Sequence, residues 1–120
     1  MRSTLSTLAA IVLVSTSFAA QAAVYKPGQD GVRSPVLVRE VKPQYTAEAK
    51  ARGVQGTVEV VAVVKTDGTV ADDVRVTKSL DEQLDQQAII AVRQWQFRPG
   101  TKDGTPVDVE VNVELTFTLK

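Results

Sequence analysis

The chain has 120 residues, and its charges balance, with 14 Lys and Arg against 14 Asp and Glu. That length sets one domain as the expectation. Balanced charge without a basic run excludes a phosphate-backbone binder, so no nucleic-acid partner is expected. Cysteine and histidine are absent. Their absence removes the usual zinc and haem ligands, the usual nucleophile–base pairs and every disulfide. No metal, no cofactor and no catalysis are expected.

Residues 1–22 read as a secretory signal. Arg2 is the basic start, and Leu8 to Ala20 is the apolar stretch, interrupted by Ser15, Thr16 and Ser17. Ala20-Gln21-Ala22 is an A-x-A cleavage site. The apolar run falls short of the about 20 residues that span a bilayer. Cleavage after Ala22 is therefore expected, and retention as an inner-membrane anchor is the alternative. Cleavage removes Arg2 alone among the charged residues, which leaves a near-neutral chain. Residues 23–35, with Pro27, Gly28, Gly31 and Pro35, read as a short flexible lead. Residues 36–120 then form the folded domain.

Val36-Leu37-Val38 predicts a short strand. Thr46 to Arg52 predicts a small helix with Thr46 as N-cap, Tyr45 and Ala49 packing inward, and Gly53 as its stop. From Gly56 to Lys65 the sequence alternates, with Val58, Val60, Ala62 and Val64 on one face and Val61 and Val63 on the other. That pattern is a strand. Asp67-Gly68 between two β-runs is a hairpin signal, so Val70 to Thr77 is the return strand. Asp72-Asp73 interrupts it, as an edge, a bulge or a turnout. The two carboxylates have no third ligand nearby and read as a solvated pair.

Ser79 to Gly100 predicts one amphipathic helix. Ser79 with Glu82 fits a capping box, and Asp81 is a second candidate cap. Leu84, Ala88, Ala91, Val92 and Trp95 recur at spacings of three and four and share one face. Acidic residues near the start, with Arg93 and Arg98 near the end, suit the helix dipole. Pro99-Gly100 forbids further helix. Trp95 and Phe97 are expected in the core. After a turn cluster at Lys102 to Pro106, Val107 to Leu119 alternates without a fault. Its odd positions are apolar and its even positions polar. One face packs on the helices and the other meets water. The fold class is α+β, a small antiparallel three- to four-stranded sheet packed against two helices.

The ordered set Pro43-Gln44-Tyr45, Gln55-Gly56-Thr57-Val58, Asp67-Gly68-Thr69-Val70, Leu84-Asp85, Trp95, Phe97-Arg98-Pro99-Gly100 and Leu115-Thr116-Phe117 resembles the C-terminal domain of TonB. TonB is the periplasmic energy transducer of Gram-negative bacteria. The resemblance runs from about Val36 to Leu119. It implies a periplasmic binding module without an active site. It also implies a partner, a peptide of an outer-membrane receptor or another envelope protein, which joins the sheet by β-augmentation. The positions it implies are Val109, Glu110, Val111, Asn112, Val113, Glu114 and Leu115 on the last strand. Before the first helix they are Arg39, Lys42, Gln44 and Tyr45. Three features depart from the family. The family's histidine is absent, its Tyr-Pro dipeptide is Tyr45-Thr46 here, and its long Pro-rich spacer is replaced by 12 residues, Val24 to Pro35. Coupling to the inner-membrane ExbB–ExbD motor is therefore not implied. The acidic outer face, Asp108, Glu110 and Glu114, guards against casual pairing on one reading. The same edge accepting a second copy, to give a homodimer, is the remaining alternative.

Overall fold

The computed structural model describes residues 23–119, and the expected signal at 1–22 lies outside the described residues. The fold is built on the pair of alternating segments. Strand β4 (Gly56–Val64) buries Val58, Val60, Ala62 and Val64 completely or nearly so. Strand β9 (Asp108–Phe117) lies antiparallel to it over nine positions, from Gly56 opposite Phe117 to Val64 opposite Val109. β9 turns Val109, Val113, Leu115 and Phe117 to the same interior. Both strands obey a period of two, so one face of each is apolar and must be covered.

Two helices cover it. Helix α1 (Ala47–Ala51) starts at Thr46, whose hydroxyl accepts from the Ala49 amide, as expected. Gly53, with φ of 68°, turns the chain out of that helix. Helix α2 (Glu82–Val92) lies on β4 and buries Leu84, Ala88, Ala91 and Val92 in the same core cluster as Val113, Leu115 and Phe117. Leu84 is fully buried, a burial that contributes about 2–3 kcal/mol.

The cap of α2 is Asp81, not Ser79. The Asp81 carboxylate accepts from the amides of Gln83 and Leu84. Ser79 instead donates its hydroxyl to Asp85. Asp85 also accepts from the Leu80 amide at 3.0 Å and the Asp81 amide at 3.4 Å. Asp85 is the buried charged residue among those described, and these donors satisfy it. It ties the turn between the return strand and α2.

The helix ends sooner than Pro99 requires. Its C-cap is Arg93, and the amides of Gln94 and Trp95 donate to carbonyls three residues back. Gln96–Arg98 is strand β6, paired antiparallel with strand β3 (Val36–Arg39). Trp95 is buried, as expected, but it stands beyond the helical stripe. Arg98 lies on a strand and does not face the helix dipole. The alternation Trp95, Gln96, Phe97, Arg98 (buried, exposed, part-buried, exposed) is the period of a strand.

The Asp67-Gly68 hairpin forms as expected. Gly68 has φ of 88° and is buried, and a Cβ there would strike the Phe97 carbonyl. The Phe97 amide donates to the Gly68 carbonyl at 2.9 Å. Only glycine satisfies both the backbone angle and the close approach. The return strand is shorter than expected. Val70 bridges Val64, the chain turns out at Asp72-Asp73, and strand β5 (Arg75–Lys78) resumes beside β4 with a register shift.

The lead is ordered more than its Gly and Pro content suggests. Strand β1 (Val24–Tyr25) adds parallel to the start of β9. Strand β2 (Val32–Arg33) pairs with strand β7 (Thr101–Lys102), which pairs with strand β8 (Thr105–Pro106). The main sheet therefore runs β1-β9-β4-β5, flanked by a three-stranded and a two-stranded sheet.

Candidate functional site

β9 is the longest strand among the described residues, at ten residues. β4 pairs with nine of these on its inner side, Val109 to Phe117. On its outer side β1 pairs only with Asp108 and Val109. The next residues explain why β1 stops. The Gln29 amide donates to the Lys26 carbonyl at 3.2 Å, and Pro27 has no N–H to give a ladder. From Glu110 to Phe117 the outer edge of β9 has no partner among the described residues. Alternate residues of those eight positions turn their main-chain donors and acceptors outward along an edge about 26 Å long.

The segment before α1 is held beside the end of that edge by two aromatic anchors. Trp95 donates its indole N–H to the Val41 carbonyl at 2.7 Å. Tyr45 donates its hydroxyl to the Val54 carbonyl, and its ring meets Phe117 edge-on at 5.4 Å between centroids. Lys50 stands 5.6 Å over the same ring. The result is a groove of about 280 Å³ lined by Glu40, Lys42, Pro43, Tyr45, Trp95 and residues 114–118 of the last strand. Its floor is aromatic. Its charged walls, Glu40, Lys42 and Glu114, form no ion pair within 4 Å among the described residues.

The structure brings part of the sequence-derived set together. Lys42, Tyr45, Glu114 and Leu115 line the one groove. Glu110, Val111, Asn112 and Val113 continue the open edge away from it. Val109 is paired on both sides, with Tyr25 and Val64. Arg39 stands in β3 opposite Gln96. Gln44 lines a separate hollow beside Gln87, Ile90 and Gln94 of the helix side. Sequence reading missed the groove roles of Trp95, Pro43 and Phe117, because each also has a core or turn role that explains it alone.

Ionic structure is concentrated at the helix ends. The Arg52 guanidinium donates to Asp81 at 2.8 Å. That bond, with the amides capped by Asp81, holds the Asp81 carboxyl below the usual carboxylate range and raises Arg52. Thr69 likewise lowers Asp67 at the hairpin through its hydroxyl and amide. Neither pair touches the groove. Among the described residues no group of three or more His, Cys, Asp or Glu side chains could hold a metal ion. No helix among them is long and apolar enough to cross a membrane.

The geometry defines a small α+β domain that presents most of one strand edge beside an aromatic groove. Comparison with known proteins agrees with the fold. A sequence model of the Gram-negative bacterial TonB protein C-terminal family matches residues 41–119, and the chain belongs to that family. It is 34% identical over 90 residues to the TonB protein of Vibrio cholerae, covering 74% of this chain and 37% of that one. It is 31% identical over 106 residues to the TonB protein of Escherichia coli K12, covering 88% of this chain and 44% of that one. The solution structure of the Pseudomonas aeruginosa TonB C-terminal domain shares the fold, with a TM-score of 0.59 at 24% identity. That match covers 79% of this chain and 93% of that one. The chain spans less than half the length of these two curated relatives.

Proposed function

We propose that this protein is a binding module of the cell envelope that accepts an extended segment of an outer-membrane receptor on the edge from Glu110 to Phe117. In this role it serves TonB-dependent transport across the outer membrane. Residues 1–22 direct export, 23–35 form the lead, and 36–120 bind the partner in the periplasm. The incoming segment adds a strand to β9 through main-chain hydrogen bonds. Its side chains on the inner face enter the groove lined by Lys42, Tyr45, Trp95 and Leu115. The work done is recognition, not catalysis. The observation that carries this reading is the asymmetry of β9, with nine inner positions paired and eight outer positions open.

The absence of cysteine makes the test direct. Asn112→Cys places one thiol at an exposed position of the open edge. Arg75→Cys places one on the opposite edge strand. Receptor N-terminal peptides bearing a single cysteine should form a disulfide with the first variant and not with the second. Equal trapping at both positions contradicts strand addition at β9. Trapping of a second copy of the chain in place of peptide assigns the edge to self-association.

A further inference from the structure

We propose that the open edge selects a strand with basic residues four apart on one face, aligned with Glu110 and Glu114, and apolar residues on the other. The proposal rests on the strand-addition reading and names the chemistry of the strand. It starts from register. On the solvent face of the sheet, Glu114 stands directly opposite Glu59 of β4. Like charges directly opposite repel. Glu59 has a cation of its own, Lys78, at 3.8 Å. Glu114 has none within 4 Å among the described residues.

Glu110 is in the same position for a different reason. Its partner on β4 is Val63, which offers no charge. Asp108, the third acidic residue of this face, is already engaged, since it accepts from the Thr66 amide at 3.1 Å. So two carboxylates, four residues apart on one face, lack a partner inside the sheet. The side on which one can be supplied is the open side. An added strand places its side chains beside those of β9, about 5 Å away. Lysine or arginine at two positions four apart would meet both.

The other face of the same edge asks for the opposite chemistry. Val113, Leu115 and Phe117 are buried there, and the adjoining groove is floored by Tyr45 and Trp95. Glu40 and Lys42, the remaining charges of that groove, are of opposite sign and bias it toward neither. The edge therefore attracts a basic–apolar alternation and repels an acidic one. Attraction and repulsion together give specificity.

Three eight-residue peptides test this. Each has valine at alternate positions, with lysine, glutamine or glutamate at the positions between. Titrated into the protein at low salt, the lysine peptide should shift the amides of 110–117. It should bind about tenfold more tightly than the glutamate peptide, with glutamine between them. High salt should shrink the difference. The variant Glu110→Gln with Glu114→Gln, which removes charge and keeps shape, should equalise the three. Equal binding of all three peptides to the unaltered protein overturns the charge selection and leaves strand addition standing. Preference for glutamate also overturns it. If no peptide shifts 110–117, the reading of the edge itself fails. Amide shifts at 110–117 that depend on protein concentration without peptide assign the edge to a second copy and overturn the proposal.

Discussion

The main sheet has two edges of opposite design. On one side β5 is four residues long, enters after a turnout and shifts register against β4. It carries Arg75 and Lys78. Short, charged, irregular edges are poor templates for pairing. On the other side β9 runs straight for ten residues, and β1 covers only the first two. Of the two, β9 is the edge better suited to pairing with another strand. Both edges share one sheet and one core, so the contrast is local to the edges. The short edge at β5, also unpaired on its outer side among the described residues, follows from Asp72-Asp73 and the short run after it. The open edge follows from unbroken alternation after Pro106, and from Pro27 ending β1.

The largest effect should come from removing the core side chain that both edges rest on. Trp95→Ala deletes a side chain only 7% exposed, together with its bond to the Val41 carbonyl. It should cost about 3–5 kcal/mol, enough to unfold a marginal domain, as thermal or urea unfolding will read. Trp95→Phe keeps most of the packing and loses the bond. It should stay folded, release residues 39–45 and weaken binding at the groove.

Asp85→Ala should cost about 3 kcal/mol, since three donors lose a charged acceptor in a part-buried turn. Its effect should concentrate on the β5 side. Amide exchange at Leu80 and Asp81 should accelerate before that in β9.

Acid gives a smaller effect. Asp81 and Asp67 have folded pKa values below their ordinary ones. Each therefore stabilises the fold above the unfolded value of about 4, and the contribution is lost as pH falls through the lower, folded value. The melting temperature should fall below about pH 4. Asp81→Asn should flatten that fall, and the groove should be unaffected at neutral pH.

The smallest effect should come from extending the open edge to the start of β9. Proline at both Val24 and Tyr25 removes the donors of β1. Stability should change by less than about 1 kcal/mol, because only two residue pairs are lost. Of the Asp108 and Val109 amides, the one that faces β1 should then exchange like the outward amides of the open edge.

Much of this was legible in the sequence. The β4 and β9 alternations, the Asp67-Gly68 hairpin, the Thr46 cap and the helical stripe from Leu84 to Val92 all stand where local pattern puts them. Each is a short-range rule, one residue period or one turn. What was not legible depends on partners distant in the chain. The stretch from Trp95 to Arg98 fits a helical stripe as far as Trp95, and β3, about sixty residues earlier, decides otherwise. Ser79 offers a hydroxyl suited to a cap, but the nearby Asp85 takes it. The two-residue strands β1 and β2 carry no periodicity at all, so their order comes from β9 and β7 alone. For the candidate site, the last strand and the Lys42 to Tyr45 segment were readable separately. Their meeting in one groove depends on Trp95 and Tyr45 bonds to distant carbonyls.

If the outer edge of β9 receives a strand, its outward-facing amides must become protected. The most direct measurement is a backbone amide titration of the protein with short N-terminal segments of outer-membrane receptors. Shifts confined to 110–117 and 40–45, with new protection from exchange on alternate amides of β9, are the predicted result. Shifts on β5, or an edge of β9 that stays unprotected at millimolar peptide, would contradict it.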